Sequence, residues 1–328
     1  MRLFFSDGAE VEVGTSDSIV SELKKSGLMF PHSCEVGRCE SCKVQVLRGE
    51  TEAFRAELSL SEPERECGFV LACCRKVRSD LELNITLPRQ LVFRPRTTPC
   101  KLSNLDVLCE RLYRVELQLP KTPEFKFAAG QHVDFIYPDG SARKYSIASI
   151  DRVSNRLTFL VRAHHGGRFE QFICDASMGA LFKLRGPLGT FCLDSTKLTS
   201  DLVFVATGTG ISVFHAMLEE MMARNLDTSA FNVTLFWGVS DEREFDMVDL
   251  SFYDGNLALE KIASKPTKGW SGKVGRVTDV LAQSNLSITS QVFLCGNPSM
   301  ITDVTSLLLS RGFDRHAIKS DLFVSTNF

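Results

Sequence analysis

The chain has 328 residues, which at about 150 residues per domain gives room for two domains or three small ones. Its 38 Lys and Arg stand against 40 Asp and Glu, a net charge of -2 that excludes a general nucleic-acid binder. Hydrophobic residues at 44% and charged residues at 24% exclude disorder as the main theme.

No apolar run approaches the roughly 18 residues of a membrane span. Met1-Arg2-Leu3-Phe4-Phe5 is broken at once by Ser6-Asp7-Gly8, so it lacks the core of a signal peptide. No membrane association and a cytoplasmic location are expected. The 11 cysteines are odd in number and spread over a long chain, which favours metal binding over a disulfide scaffold.

In chain order, residues 3–5 and 11–13 read as short strands around an Asp7-Gly8 turn. Asp17 is placed to cap a helix that ends at Gly27, with Ile19 and Leu23 on one face. Residues 43–46 and 80–85 alternate as half-buried strands. Pro88, Pro95 and Pro99 then suggest a linker, since proline suits neither a helix interior nor a central strand. Residues 133–137, 144–150 and 157–162 read as strands of an antiparallel barrel with one helix near residue 170, and Pro138-Asp139-Gly140 as a turn. From residue 202 apolar strands (202–206, 233–237, 292–295) alternate with helices, the first through Met217, Leu218, Met221 and Met222, which predicts a parallel sheet.

Cys34, Cys39 and Cys42 form C-x4-C-x2-C, and a further cysteine follows 30 residues later at Cys73 or Cys74. This is the spacing of plant-type [2Fe-2S] ligation, in which one loop presents three thiolates and a distant cysteine the fourth. Gly37 permits unusual dihedrals there. A structural zinc site is the alternative, though zinc sites usually pair cysteines two by two. Cys67, Cys100, Cys109, Cys174 and Cys192 have no ligand spacing and read as buried small hydrophobes. His164 and His165 point to opposite strand faces, and His32 lacks the second His of a Rieske centre.

Arg143-Lys144-Tyr145-Ser146 offers a guanidinium, a ring and a hydroxyl on one strand. Gly166-Gly167-Arg168-Phe169 opens a helix, and Gly186-Pro187-Leu188-Gly189 makes a tight loop. Thr207-Gly208-Thr209-Gly210 follows an apolar strand and lets backbone approach a pyrophosphate; the third glycine of the Rossmann fingerprint is Val213 instead. Cys295-Gly296-Asn297-Pro298 ends another strand, where parallel sheets bind ligands.

In this ordered series the chain resembles the reductase components of bacterial aromatic-ring-hydroxylating dioxygenase systems. The resemblance implies a multi-domain α/β protein. Residues 1–90 are a β-grasp plant-type [2Fe-2S] ferredoxin domain, 91–100 a linker, 101–197 an antiparallel β-barrel that binds FAD, and 198–328 a parallel α/β domain that binds NADH, with NADPH as the alternative. It implies Cys34, Cys39, Cys42 and Cys73 as cluster ligands. Arg143, Tyr145, Ser146, Val161, Arg162, Gly166, Gly167, Arg168, Phe169 and Phe323 are the implied FAD site. Gly208, Thr209, Gly210, Cys295, Gly296, Asn297 and Pro298 are the implied nicotinamide-cofactor site, and Cys295 and Asp321 the residues at the reacting ring edge. The implied partner is a terminal oxygenase or a small ferredoxin, served by a monomer.

There are departures from the family. Glu40 stands where Gly is common, and its carboxylate is expected to lower the cluster potential. Glu170 stands where a phosphate-binding Ser is expected, and Val213 replaces a Pro. Carboxylates at Asp241 and Glu242 disfavour a 2′-phosphate, although Arg243 is adjacent. The rival readings are a reductase for a deoxysugar dehydratase, a non-catalytic redox sensor and a zinc-binding interaction module.

Overall fold

The computed structural model describes residues 1–28, 30–86, 93–137, 139–174, 176–193 and 201–322. The chain divides into two compact units, Met1–Arg94 with Gly189–Phe191 and Ser320–Phe328, and Pro95–Leu188 with Cys192–Lys319.

The first unit contains β1 (Arg2–Phe5), β2 (Glu10–Glu12), α1 (Ile19–Lys25), β3 (Lys43–Arg48), β4 (Thr51–Ala53), α2 (Glu62–Glu66), β5 (Phe69–Leu71), β6 (Arg75–Val77) and β7 (Leu81–Leu83). Five strands form a mixed sheet in the order β2-β1-β7-β3-β5, with β1 and β7 parallel and the other pairs antiparallel. The sheet grips α1, whose Ile19, Val20 and Leu23 are fully buried with Leu3, Leu81 and Leu83, so the unit is a β-grasp. The cap of α1 differs from expectation. Ser18, not Asp17, holds the extended N-cap conformation and accepts from the Ser21 N–H at 3.1 Å. Asp17 instead accepts from the Ser18 N–H at 2.8 Å.

In the second unit an antiparallel seven-stranded sheet comes first. Its strands are β8 (Arg96–Cys109), β9 (Leu112–Gln118), β10 (His132–Ile136), β11 (Ala142–Ser146), β12 (Ser149–Asp151), β13 (Arg156–Arg162) and, after α3 (Arg168–Cys174), β14 (Leu181–Leu188). The order is β11-β10-β14-β8-β9-β13-β12, and β11 also touches β13, which closes the sheet into a barrel around Phe135, Phe159 and Leu184.

Two expectations are corrected here. The linker does not reach residue 100, because β8 starts at Arg96 and carries Pro99 inside it. Proline is tolerated there because β8 pairs with β14 over residues 96–101 and with β9 only from Lys101 onward. The Leu102 N–H reaches the Ala180 carbonyl on the β14 side, so by alternation the nitrogen of Pro99 faces the side that has no partner strand. The remainder of the proposed linker falls partly on residues 87–92, outside the described residues. The single strand expected at 144–150 is two, because β11 pairs with β10 and β12 turns the corner to pair with β13.

The same unit continues with β15 (Leu202–Thr207), α4 (Ile211–Ala223), β16 (Val233–Val239), β17 (Leu257–Ala263), β18 (Lys273–Val274), α5 (Val277–Ala282), β19 (Gln291–Gly296) and α6 (Pro298–Ser310); the last strand, β20 (Ile318–Leu322), begins in this unit and from Ser320 belongs to the first. The sheet order is β18-β17-β16-β15-β19-β20, and β15 through β19 pair parallel. Phe204 of β15 is fully buried, stacked on Phe214 of α4 at 4.6 Å and edge-on to Phe293 of β19 at 5.8 Å. The chain leaves β15 toward β16 on one side and returns at β19 on the other. That reversal opens a crevice at the carboxyl ends of the strands, the place where such sheets bind ligands. No helix of the described residues is long and apolar enough to cross a membrane.

The cap assignment has a direct test. Ser18→Ala is expected to cost about 1 kcal/mol in urea unfolding. Asp17→Ala is expected to cost clearly less.

Candidate functional site

The cluster loop is built from the backbone outward. Glu35, Gly37 and Glu40 all have left-handed φ, which folds residues 34–42 tightly enough to turn amides inward. The Val36 and Arg38 N–H groups each donate to Cys34 Sγ at 3.4 Å, and the Cys34 N–H donates to Cys39 Sγ at 3.4 Å. A Cβ at Gly37 would lie 2.5 Å from the Ala56 carbonyl oxygen and 2.8 Å from Cys74 Sγ, so the loop packs too closely for any side chain there.

Cys34, Cys39, Cys42 and Cys73 are all buried. Their thiols interact as two pairs, Cys34 with Cys39 and Cys42 with Cys73. The Cys39 hydrogen bond, helped by the Val36 and Arg38 amides, draws the Cys34 thiol down to about 6. The Cys42 hydrogen bond, helped by Cys74, draws Cys73 down to about 3. Cys39 and Cys42, the donors, are pushed up by that donation and by burial. Lowered and raised thiols thus alternate within each pair, and a bound metal ion would favour the thiolate form of all four. Two thiol pairs with amides aimed at sulfur fit two bridged irons.

Cys74 is fully buried 3.6 Å from Cys73 Sγ, but it faces the Ala56 carbonyl and its pKa is raised, first by the hydrogen bond to Cys73. Glu40 is paired with Lys43 at 2.7 Å, and Lys43 also holds Glu64. Its charge is thus offset locally, which weakens the effect expected on the potential. Of the other cysteines Cys100 is buried, whereas Cys67 is exposed, because it sits at the end of α2 with no core behind it. Also in this unit, buried Asp321 accepts from Ser33 Oγ at 2.5 Å, beside the cluster loop. The adjoining Phe323 lies outside the described residues.

In the barrel, Arg143, Tyr145 and Ser146 lie on β11 opposite Phe135, Val133 and His132. Tyr145 packs against Phe135 at 4.6 Å and Phe169 at 5.8 Å, and burial raises its hydroxyl pKa. Guanidinium, hydroxyl and ring on one strand are a donor set that fits a flavin and its phosphates. Val161 and Phe169 are buried in the barrel core. Arg168 is paired with Asp139 and bonded to Ser141 at 3.0 Å, which pins α3 to the β10–β11 turn. Glu170 turns back and accepts from the Gly166 N–H at 2.8 Å, so its carboxylate already occupies an amide expected to face phosphate. The Gly167 N–H is likewise engaged, by the His164 carbonyl at 2.8 Å. Arg162 is paired with Glu244, whose carboxylate is buried; this contact joins the barrel to the parallel-sheet half. Ser149 and Glu219 at 2.7 Å, and His215 and the Ala148 carbonyl at 2.9 Å, reinforce the same junction.

The crevice at β15 holds the remaining candidates together. A Cβ on Gly210 would fall 2.3 Å from the Cys295 carbonyl oxygen, so the turn after β15 lies against the turn after β19. The Asn297 N–H and side-chain amide both donate to Thr207 Oγ1, at 3.2 and 3.3 Å, and Asn297 also caps α6. Trp237 Nε1 donates to the Gly208 carbonyl at 3.1 Å. Sequence reasoning missed Trp237 and Glu244 as organising residues, and read Thr207 only as part of the glycine turn. Thr207 directly precedes the glycines and was within reach of the motif. Trp237 and Glu244 act across 29 and 82 residues and carried no local signal.

Three family models match in the order read from the motifs. Residues 4–78 match the 2Fe-2S iron-sulfur cluster binding domain, 99–192 the oxidoreductase FAD-binding domain and 204–306 the oxidoreductase NAD-binding domain. The CDP-6-deoxy-L-threo-D-glycero-4-hexulose-3-dehydrase reductase of Yersinia pestis is 28% identical over 98% of this chain and 95% of that protein. The anthranilate 1,2-dioxygenase electron transfer component of Acinetobacter baylyi is 28% identical over 100% of this chain and 98% of its own. The crystal structure of the Amycolatopsis cytochrome P450 reductase GcoB superposes with a TM-score of 0.76 at 25% identity, covering 98% of both chains.

Two substitutions follow from the geometry. Cys73→Ser is expected to lose most of the iron and sulfide measured chemically in the purified protein, while Cys74→Ser keeps both. Gly210→Ala wedges the two turns apart. It is expected to raise the KM for NADH about tenfold, roughly 1.4 kcal/mol, with flavin and iron content unchanged.

Proposed function

The chain belongs to the electron-transfer reductases that carry [2Fe-2S], FAD-binding and NAD-binding domains on one polypeptide, and from that premise we propose that it takes electrons from NADH and delivers them singly to the terminal oxygenase, or a small ferredoxin, of an aromatic-ring-hydroxylating system. The observation that carries the reading is the pair of buried thiol pairs under inward-facing amides, followed in the chain by the flavin donor set and the two-loop crevice. When bound, the flavin accepts hydride and the cluster passes single electrons.

The protein's own part is placement. Thr207, Gly208, Thr209 and Gly210 present backbone to the pyrophosphate, and Cys295 to Pro298 border the nicotinamide. Arg143, Tyr145 and Ser146 hold the flavin. Cys34, Cys39, Cys42 and Cys73 hold the irons. Asp321, tied to Ser33, is the proposed acidic residue at the flavin-edge tail. The protein acts in the cytoplasm as a monomer.

NADH is preferred over NADPH because Arg243, the cation that follows β16, is already neutralised. Arg243 Nε lies 2.9 and 3.1 Å from the two oxygens of Asp241. Glu242, held by the Thr267 N–H, adds negative charge that opposes a 2′-phosphate.

A second reading is favoured by the Yersinia pestis relative, whose similarity runs over 98% of this chain. In it the electron acceptor is a deoxysugar dehydratase. Product formed by the purified reductase with an aromatic-ring oxygenase and its substrate, but not with a nucleotide-sugar dehydratase, supports the first reading. The reverse result supports the second.

Asp241→Ala releases Arg243 toward the ribose. It is expected to raise kcat/KM for NADPH relative to NADH by about tenfold, near 1.4 kcal/mol, in steady-state assays. A wild-type preference for NADPH would overturn the assignment.

A further inference from the structure

A ridge of exposed side chains runs beside the cluster loop. Phe54 is 42% exposed and Leu58 61% exposed, although both belong to a well-packed unit. The ridge is stitched to the loop through hydrogen bonds. The Phe54 N–H donates to the Cys74 carbonyl at 3.1 Å and the Ser59 N–H to the Gly37 carbonyl at 3.2 Å. The Arg55 guanidinium donates to the Glu35 carbonyl. Each bond ends one or two residues from a cluster cysteine, so the ridge is a short covalent and hydrogen-bonded path from the buried sulfurs to solvent.

The ridge is positively charged. Arg55 and Lys76 lie over the Phe54 ring at 5.5 and 5.2 Å, and exposed Arg38 stands beside Gly37. The carboxylates around it are engaged elsewhere. Glu35 pairs with Lys24, Glu52 with Arg78, Glu57 with Arg75, Glu62 with Arg65, and both Glu40 and Glu64 with Lys43. Among the described residues no carboxylate lies within ion-pair distance of Arg38, Arg55 or Lys76. A local positive field on a chain of net charge -2 is a directed feature rather than an average property.

We propose that this ridge is the docking surface for the protein electron acceptor, and that the acceptor presents an apolar centre ringed by carboxylates. The proposal rests on the electron-transfer reading and adds where the electron leaves and what charge the partner carries. Phe54 and Leu58 supply the desolvated centre, and Arg38, Arg55 and Lys76 steer the encounter. One electron leaves the reduced cluster and one ferric haem or ferric centre of the acceptor becomes ferrous, with no proton transferred.

The test uses the full holoprotein with two haem probes, cytochrome b5, which is acidic, and cytochrome c, which is basic. The cluster is loaded with stoichiometric dithionite, so the readout does not depend on NADH. Wild-type protein is expected to reduce cytochrome b5 at a rate that falls about tenfold as salt rises from about 0.02 to 0.3 M. The Arg38→Glu/Lys76→Glu variant, whose substituted side chains hold no described hydrogen bond, is expected to react about tenfold more slowly at low salt and to lose the salt dependence. It is expected to gain rate toward cytochrome c. Leu58→Ser is expected to slow cytochrome b5 at every salt concentration. An unchanged cytochrome b5 rate in the charge-reversed variant, with its iron content and visible spectrum intact, overturns the proposal. Failure of NADH to reduce the same preparation would refute the reductase reading, while the chemically loaded measurement still decides the ridge.

Discussion

Burying four thiols within one loop and its neighbouring turn is the constraint on which the rest of the first unit depends. Thiolates in a low-dielectric interior are costly unless hydrogen bonds or cations stabilise them. The loop at residues 34–42 supplies the hydrogen bonds by taking left-handed backbone at Glu35, Gly37 and Glu40, and Gly37 is packed so tightly against Ala56 and Cys74 that no side chain fits. These amides and the paired thiols draw Cys34 and Cys73 down, while donation and burial push Cys39 and Cys42 up. The β-grasp sheet and α1 form the rigid base that lets such a loop persist.

The second unit answers a different constraint with the same economy. A parallel sheet whose strand order reverses at β15 leaves backbone amides and carbonyls at its carboxyl edge, and the turns at Gly210 and Cys295 meet there because glycine allows contact at backbone distance. Thr207 ties Asn297 across that gap, and Trp237 fixes the Gly208 carbonyl. The barrel is held to this crevice by buried Glu244 with Arg162 and by α4 against β12, so the flavin donor set and the nucleotide crevice belong to one compact unit. Placing Arg162 in that junction gives it a structural task in addition to the cofactor contact suggested by its position in the chain.

The cysteine loop and both glycine turns were legible in the sequence because their chemistry is local. Spacing of three to five residues determines which sulfurs share a loop, and a glycine after an apolar strand marks a turn whatever surrounds it. What was not legible depends on distant partners. Pro99 reads as a breaker until β9 is seen to begin pairing only at Lys101. Residues 144–150 read as one strand because the pattern does not register that β11 and β12 pair with different neighbours. Ser18 and Asp17 are both good caps, and only the backbone at Ser18 decides between them. Glu170 was recognised as a departure from the family, but its bond to the Gly166 amide required the helix to be in place.

The central claim is that one chain joins a nicotinamide donor to a flavin and a [2Fe-2S] cluster. The most direct measurement is the visible absorbance of the purified holoprotein before and after anaerobic addition of NADH. The account predicts overlapping flavin and iron–sulfur bands that both bleach on NADH addition. A colourless protein from a preparation that retains its metal, or coloured bands that NADH leaves unchanged, would contradict it.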